Sequence, residues 1–324
     1  MSEACGKPEL FIVFNPGSGS HDEDARAVVE GALRAAGRVW RFIEVARGDV
    51  RASCKEAARL AAERGGVLVC IGGDGTISTG AQAAHAQDCV FAAVAQGTFN
   101  IFAREHGLPL NVAEGIQCVL DGEVRQVQVG MVNGQLFLVN ASAGLYAKLL
   151  ADREEAKERY GRKRWVAILA ALATLFNWRF RLTLDAQLDG RPHRIVTPSL
   201  FICNNRLQLE RVGIDPAIFE QVGHGWLCGI VSAPLDTLAK LRLALRAIVG
   251  RLGAAPEIDA FNLKSLTVAN RHAKRLRVGL DGEVRWMQLP LRIEVAQRPL
   301  RLILAPPTPS TPSTQQTKAD TVDA

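Results

Sequence analysis

The first 120 or so residues alternate short apolar runs with longer amphipathic segments, which predicts alternating strands and helices. Residues 10–14, 67–71 and 90–95 have the composition of buried strands, and residues 23–36 and 50–64 the pattern of helices. Strands that alternate with helices predict βαβ units and a parallel sheet covered on both faces. The alternation continues through a strand at 38–45 and helical patterns at 77–86 and 100–106.

After about residue 122 the pattern changes to short strand-like stretches separated by turn residues. Helices are predicted at only two places here, 164–177 and 235–252. Many short strands with intervening turns indicate an antiparallel sheet or sandwich, so this half is predicted to be mainly β. The predicted strands are 124–132, 135–140, 180–188, 194–203, 226–231, 263–269, 276–278 and 291–296.

Two domains and a tail follow from these patterns. An α/β domain with a parallel sheet is predicted over residues 8–125, and a β-rich domain over residues 126–305. Residues 306–324 consist largely of Pro, Ser, Thr and Gln and are predicted to be disordered, because they offer too little apolar area to offset the entropy of ordering.

Composition narrows the classes of partner. The net charge of +6 suits an anionic nucleotide or an anionic membrane surface, although the same basic residues also serve simply to keep a surface soluble. With 2 Tyr and no basic stripe interleaved with aromatic residues, the chain does not look like a nucleic-acid binder. The 7 cysteines are odd in number and form no CxxC pair, so neither a disulfide framework nor a zinc site is indicated.

The location is predicted to be cytoplasmic. The N-terminal residues lack the charged-then-apolar pattern of a signal peptide. The longest apolar run, 165–176, is shorter than the roughly 20 residues that a spanning helix needs. No transmembrane segment is therefore expected.

Three glycine-containing loops follow predicted strands of the first domain. In an α/β sheet, ligands bind where strands end and helix N-termini offer free amide donors. Each loop combines glycine with a hydroxyl or amide side chain, a combination that favours close contact with phosphate oxygens. Together the loops predict a phosphate cradle, although a single Gly-Ser-Gly is usually only a turn. They are Asn15-Pro16-Gly17-Ser18-Gly19-Ser20, Gly72-Gly73-Asp74-Gly75-Thr76 and Gln96-Gly97-Thr98-Phe99-Asn100.

Asp74 is the acid within the second loop. A carboxylate among amides that attract phosphate would repel that phosphate unless a magnesium ion or a reacting proton lay between them. The alternative is an Asx-turn or helix-cap aspartate. The chain contains no GxxxxGK[ST], no GxGxxG after a strand and no HRD or DFG signature, so it is neither a P-loop enzyme nor a protein kinase by motif.

With these residues assembled, the chain resembles the diacylglycerol kinase catalytic-domain family, which includes sphingosine kinases and bacterial lipid kinases. The resemblance covers residues 8–305. The matching motifs, in order, are Asn15-Pro16-Gly17-Ser18-Gly19, Gly72-Gly73-Asp74-Gly75-Thr76, Gly97-Thr98-Phe99-Asn100-Ile101-Phe102-Ala103-Arg104 and Asp281-Gly282-Glu283. Taken alone, the last of these would be read as a hairpin turn.

The resemblance implies a three-layer α/β domain that binds ATP, a C-terminal β-sandwich that binds lipid, and transfer of the γ-phosphate to a lipid hydroxyl, with diacylglycerol as the default acceptor. Asp74 would organise Mg²⁺ bound with ATP. Glu283 would accept the proton of the lipid hydroxyl, with Asp281 beside it as a further catalytic candidate. The residues that would hold ATP are Asn15, Pro16, Gly17, Ser18, Gly19, Gly72, Gly73, Asp74, Gly75, Thr76, Ile77, Thr98 and Asn100.

Three positions depart from the family pattern. Ile101 replaces an aspartate that is common after the asparagine, and His224-Gly225 stands where many bacterial members have an Asp-Gly that helps to hold a structural magnesium. We expect that structural site to be lost while the catalytic Mg²⁺·ATP site remains through Asp74. A threonine expected near residues 44–46 for nucleotide contact is also missing.

Peripheral membrane contact is expected through two basic, apolar helices, 162–172 and 235–252, whose alternative is packing against the core. Two other functions stay open: an NAD kinase-like activity, and a non-catalytic lipid- or nucleotide-binding regulator that has lost the acids at 101 and 224. A homodimer is also left open.

Overall fold

The computed structural model describes residues 7–15, 22–45, 49–145, 147–148, 150–151, 182–233, 255–270 and 273–306. The predicted helices at 164–177 and 235–252 lie outside these residues, and so do positions 307–324 of the predicted tail. The expectation of membrane contact through those helices therefore falls on residues that the structure does not describe.

The first sheet has six strands in the order β2-β1-β3-β4-β18-β5. The first four, from β2 to β4, are mutually parallel, as are β4 and β18, whereas β5 is antiparallel to β18. Continuous burial of the apolar strands explains why they lie at the centre. The strands are β1 (Leu10–Phe14), β2 (Trp40–Phe42), β3 (Val67–Gly72), β4 (Val90–Ala95), β5 (Glu123–Val127) and β18 (Leu300–Leu304).

Helices cover both faces of this sheet, which confirms the predicted α/β class. Val29 and Leu33 of α1 and Ile116 of α5 form one core with the sheet, while buried alanines of α2 and Ile77 of α3 form another on the opposite face. The helices are α1 (Asp22–Ala35), α2 (Val50–Arg64), α3 (Asp74–Gln87), α4 (Ile101–Glu105) and α5 (Val112–Asp121).

The chain crosses between the two domains at Gln128. The stretch predicted as a single strand, 124–132, divides here: β5 pairs in the first sheet, while β6 (Gly130–Val132) pairs in the second. The chain also returns at its other end, because β18 inserts between β4 and β5. Residues 300–304, grouped by sequence with the second domain, therefore complete the first sheet.

Two six-stranded antiparallel sheets form the second domain, in the orders β10-β9-β14-β17-β6-β7 and β13-β12-β11-β8-β15-β16. Their inward side chains share one apolar core, so the predicted mainly β sandwich is confirmed. Strand β16 and nearly all of β8 and β13 lie outside the predicted stretches, and the stretch predicted as one strand, 194–203, divides between β10 and β11 of different sheets. The strands are β7 (Gln135–Phe137), β8 (Asn140–Gly144), β9 (Leu182–Leu188), β10 (Arg191–Thr197), β11 (Ser199–Cys203), β12 (Leu227–Ser232), β13 (Ile258–Leu263), β14 (Ser265–Ala269), β15 (Arg275–Leu280), β16 (Glu283–Gln288) and β17 (Leu291–Val295).

Two short helices, α6 (Arg206–Arg211) and α7 (Pro216–Phe219), connect β11 to β12. Among the helices of the described residues, none has the length and apolarity to cross a bilayer. Five described cysteines are buried, as expected for small apolar side chains, and Cys118 is partly buried.

Candidate functional site

The three polar loops lie at one edge of the first sheet. Asn15 follows β1, Gly72 ends β3 and Gln96 follows β4, and the registers place the ends of these parallel strands side by side. Of the first loop, only Asn15 is among the described residues; Pro16, Gly17, Ser18 and Gly19 lie outside them. The convergence predicted from the strand ends is present for the other two loops.

The second and third loops pack directly on each other. A Cβ at Gly97 would lie 2.9 Å from the Gly73 Cα, so only glycine fits this approach. Asn100 has a left-handed φ of 48°, and its side chain makes two 2.9 Å hydrogen bonds with the backbone of Gly97. Asn100 is therefore a buried structural support of the loop, and its amide does not face a ligand.

Asp74 joins the two loops through its carboxylate. It lies in the first turn of α3, and its Oδ2 and Oδ1 accept hydrogen bonds from the amides of Asn100 at 2.9 Å and Ile101 at 2.8 Å. The helix-capping alternative raised by the sequence is thus seen, although the helix that it caps is α4. A carboxylate has about four lone-pair sites, so the two bonds leave room for a cation.

The remaining predicted ATP-binding residues divide by exposure. Thr76 is buried and accepts a 2.8 Å hydrogen bond from Asn15 Nδ2, and Ile77 packs in the core, so these two can meet a ligand only through their backbone. Gly75 and Thr98 are exposed at the loops. The surface open to a phosphate is consequently made of backbone amides at the start of α3 more than of side chains.

The Asp281-Gly282 pair forms the two-residue turn of the hairpin β15–β16, with φ values of 47° and 91°. This turn places Glu283 against the glycine loop, because a Cβ at Gly75 would lie 3.9 Å from Glu283 Oε1. The hairpin and the functional interpretation of this motif are therefore compatible. Two motifs far apart in sequence meet at Gly75 and Glu283.

The carboxylate of Asp281, the first residue of this turn, is enclosed by hydrogen-bond donors. Oδ2 accepts from Ser78 Oγ at 2.7 Å and from the Leu138 amide at 2.9 Å. Oδ1 accepts from the amides of Val139 at 2.8 Å and Asn140 at 3.2 Å. Desolvation by burial raises the pKa of Asp281, and these hydrogen bonds oppose that rise. With four donors around it, Asp281 is built to fix the hairpin on α3 and β8 rather than to exchange protons.

Two cavities meet at this point. One, of about 670 Å³, has Arg51 and Lys55 of α2 and Arg285 of β16 in its lining. The other, of about 790 Å³, has Asp74 in its lining together with the apolar side chains of Phe99, Leu150 and Val284. The residues that belong to both linings are Gly75, Ser78, Asp281 and Glu283. A cavity that has basic side chains in its lining and a cavity that has Phe99, Leu150 and Val284 in its lining therefore share Glu283.

Arg285 and Ser78 were not singled out by sequence. Arg285 donates to Glu283 Oε2 at 2.5 Å and to Gln135 Oε1 at 3.1 Å, which holds the glutamate at the cleft. Its position two residues after Glu283 in a strand puts both side chains on one face, and Ser78 follows Asp74 by one helical turn. These spacings could have identified both residues once strand and helix were assigned.

The loop around His224 is held by an amide side chain. Gln128 Nε2 donates to Asn204 Oδ1 at 2.7 Å and to the Trp226 carbonyl at 2.9 Å, and its Oε1 accepts from the Gly225 amide at 2.6 Å. Within the described residues, no cluster of three or more His, Cys, Asp or Glu side chains could hold a metal ion. In this part of the domain junction, the neutral Gln128 side chain thus connects Asn204 to the loop of Gly225 and Trp226 through hydrogen bonds.

The fold and the site define a class: an α/β domain with glycine loops at one sheet edge, facing a β-sandwich whose hairpin carries a carboxylate. Residues 9–132 match the diacylglycerol kinase catalytic domain. A relative from Pseudomonas syringae pv. tomato, named "Probable lipid kinase YegS-like", is 33% identical over 232 residues, which cover 67% of this chain and 68% of that protein. The chain belongs to the diacylglycerol kinase catalytic-domain family.

Other relatives match over shorter stretches. A "Probable lipid kinase YegS-like" of Pseudomonas aeruginosa (strain UCBPP-PA14) is 37% identical over 152 residues, 46% of this chain, and the match spans only 48% of that relative's length. In structure, a diacylglycerol kinase from Bacillus anthracis str. Sterne superposes with a TM-score of 0.64 at 18% identity, covering 93% of this chain and 98% of that one. The structural likeness supports the fold.

Proposed function

We propose that this protein is a lipid kinase that transfers the γ-phosphate of Mg²⁺·ATP to a lipid hydroxyl. The observation that carries the proposal is the position of Glu283 beside Gly75, where it lines both the cavity with Arg51 and Lys55 and the cavity with Asp74, Phe99 and Val284. A phosphoryl donor and an apolar acceptor would have to meet at such a boundary.

The nucleotide side is supported by charge and by backbone donors. The start of α3 presents amides at the glycine loop, and Arg51 and Lys55 add positive charge to the adjoining cavity. Mg²⁺ is usually held by one or two carboxylates together with substrate phosphates. The free lone pairs of Asp74 fit this requirement, and a magnesium ion there would offset the charge of the phosphates.

The acceptor side is supported by the apolar lining around Phe99, Leu150 and Val284. A lipid hydroxyl at the inner end of this cavity would lie beside Glu283, whose side chain is 52% exposed and therefore reachable. The carboxylate would take the hydroxyl proton as the oxygen attacks the γ-phosphorus, and ADP would leave. Arg285 holds that carboxylate in place.

Diacylglycerol is the acceptor that we propose first. A relative from Mycobacterium tuberculosis (strain CDC 1551 / Oshkosh) is named "Diacylglycerol kinase" and is 30% identical over 184 residues, which cover 55% of this chain and 59% of that protein. An enzyme with this substrate would work in the cytoplasm at a membrane surface, as a peripheral protein. Phospholipid metabolism would then be its setting.

The test is transfer of labelled γ-phosphate from Mg²⁺·ATP to lipids in mixed micelles, with diacylglycerol, monoacylglycerol, a sphingoid base and phosphatidylglycerol as acceptors. NAD is included as a water-soluble acceptor. We expect a phosphorylated lipid whose formation is lost in Glu283→Gln. Glu294→Gln, which alters an exposed glutamate on β17, is the matched control and should retain activity.

Three results would contradict the proposal. Transfer to NAD but to no lipid would indicate an NAD kinase-like enzyme. ATP binding without transfer to any acceptor would indicate a non-catalytic regulator. Full activity in Glu283→Gln would remove the glutamate from the proton-transfer role, whatever the acceptor.

A further inference from the structure

The outer face of the β15–β16 hairpin carries an exposed tryptophan between two arginines. Arg277 and Trp286 are directly paired across the strands, so their side chains lie on the same side. The guanidinium carbons of Arg275 and Arg277 lie 4.7 Å and 5.1 Å from the Trp286 ring centroid. Trp286 is nevertheless 55% exposed. We call Arg275, Arg277, Val284 and Trp286 the outer hairpin face.

This face turns away from the sandwich core. Leu276, Val278 and Met287 alternate with its residues and point inward, where they are part of the apolar core. Strand β16 is also the edge strand of its sheet, and on the outward side a Cβ at Gly279 would lie 2.9 Å from Leu150 Cδ1, which also lines the second cavity. None of the outward positions of the described hairpin strands is acidic: they are Arg275, Arg277, Gly279, Val284, Trp286 and Gln288.

The outer hairpin face is continuous with the cavity that Phe99, Leu150 and Val284 line. Val284 belongs to both, and Trp286 follows it by two residues on the same side of the strand, a step of about 7 Å. Phe99, which also lines the cavity, is 63% exposed. Phe99 and Trp286 are the two aromatic residues among the exposed large apolar side chains of the described chain.

We propose that the outer hairpin face docks on an anionic lipid bilayer, with Trp286 in the interface and Arg275 and Arg277 on lipid phosphates. Tryptophan favours the membrane–water interface because its ring is apolar and its N–H remains hydrated. Arginine binds phosphate through paired N–H donors. A face of this kind beside a cavity lined by Phe99, Leu150 and Val284 gives a lipid a short path out of the bilayer. The choice of a bilayer as the partner rests on the proposed function.

The test is co-sedimentation of the full chain with vesicles, without nucleotide. One set contains phosphatidylcholine alone, and the other contains phosphatidylcholine and phosphatidylglycerol in equal amounts. We expect binding to the anionic vesicles and much weaker binding to the neutral ones. Each basic residue near an anionic surface strengthens binding about fivefold, so Arg275→Gln with Arg277→Gln should weaken it about thirtyfold.

Controls separate this face from charge in general. Arg191→Gln with Arg194→Gln removes the same charge from exposed positions of β10, at the edge of the other sheet, and should leave binding unchanged. Vesicles with brominated acyl chains should quench the tryptophan fluorescence, and Trp286→Phe should lose most of that quenching. Thermal unfolding of each variant verifies that it is folded.

The outcomes of this test differ from those of the kinase assay. Equal vesicle binding by wild type and by the Arg275/Arg277 variant would overturn the docking proposal even if the enzyme is active in micelles. Binding to a single-stranded oligonucleotide without binding to vesicles would also overturn it, because it would assign the face to nucleic acid. Vesicle binding that depends on Trp286, together with no phosphoryl transfer, would support docking and contradict only the kinase proposal.

Discussion

The Ser78 hydroxyl donates a 2.7 Å hydrogen bond to the Asp281 carboxylate. Ser78 lies on α3, the helix that starts at the glycine loop, and Asp281 lies in the turn that precedes Glu283. The bond therefore links the helix of the glycine loop to the hairpin that carries the glutamate. Its geometry is one reason why Glu283 stands opposite Gly75.

Asp281→Asn should destabilise the protein although it preserves the shape of the side chain. Each carboxylate oxygen accepts two hydrogen bonds. In either orientation, the new NH₂ group would therefore face two donors that no longer have an acceptor. Each buried donor left unsatisfied costs about 1–3 kcal/mol, so we expect a loss of about 2–4 kcal/mol in urea unfolding. Ser78→Ala removes only one donor and should cost about 1 kcal/mol. If the Asn variant were as stable as wild type, the donors around residue 281 would have to rearrange freely, which would contradict a rigid site around the Asp281 carboxylate.

Asp74→Asn should lower the free energy of unfolding, in addition to any effect on phosphoryl transfer. Each Asp74 oxygen accepts one amide, and asparagine has only one oxygen, so an amide of Asn100 or Ile101 would lose its partner. We expect a loss of about 1–2 kcal/mol in unfolding free energy.

The matched control for Asp74 is Asp49→Asn. The Asp49 cap of α2 needs one oxygen, which accepts from the Ala52 amide at 3.0 Å, and asparagine caps helices as well as aspartate does. This variant should be close to wild type in stability. Equal stability changes in the two variants would contradict the two-acceptor role of Asp74.

Magnesium without nucleotide should leave the melting temperature unchanged. Gln128 makes the connections to Asn204, Gly225 and Trp226 through a neutral amide, and Ile101 and His224 replace the acids that the family pattern would supply. Gln128→Ala should instead lower the unfolding free energy by about 2 kcal/mol. A rise in melting temperature with magnesium chloride, beyond that with sodium chloride of equal ionic strength, would contradict a metal-free junction.

Stability should fall between pH 7 and pH 5 because of His106. Burial lowers the pKa of His106 to about 4, so the folded state favours the neutral ring while the unfolded chain takes up a proton below about 6.5. The stabilisation is complete above the unfolded pKa and is lost as pH falls towards 4. At pH 5 the loss should be up to about 2 kcal/mol.

His106→Phe keeps an aromatic ring against Phe102, whose centroid lies 4.6 Å from that of the imidazole, and removes the titration. Urea unfolding at pH 7 and pH 5 should show a smaller loss in this variant than in wild type. Equal losses of stability in the variant and in wild type would mean that groups other than His106 cause the acid sensitivity.

The fold class and family were predictable because their signals are local. Apolar runs such as 10–14 and 67–71 mark buried strands, and α2 has the predicted bounds, 50–64, because Asp49 caps its start and Gly65 ends it in a left-handed conformation. The narrower strand β2 and the split of 124–132 at Gln128 were missed. Their ends depend on which sheet accepts each strand, a choice that involves residues far away in sequence.

The site was partly predictable for the same reason. Asn15, Gly72 to Thr76 and Gly97 to Asn100 follow strands, so the sequence alone placed them at one sheet edge. It could not distinguish the exposed Gly75 from the buried Thr76, Ile77 and Asn100, because burial depends on what packs above the loop. The role of Arg285 could be recognised only from its hydrogen bond to Glu283 in the structure.

The sequence by itself determined the α/β-then-β order, the glycine loops and the Asp-Gly-Glu turn, since each depends on neighbouring residues and on backbone preferences within a few positions. Only the tertiary structure decided that β18 returns to the first sheet, that Asp281 is enclosed by four donors, and that Glu283 lines two cavities at once. These features arise from contacts between distant segments. Such contacts form because the two domains bury apolar surface and satisfy polar groups together.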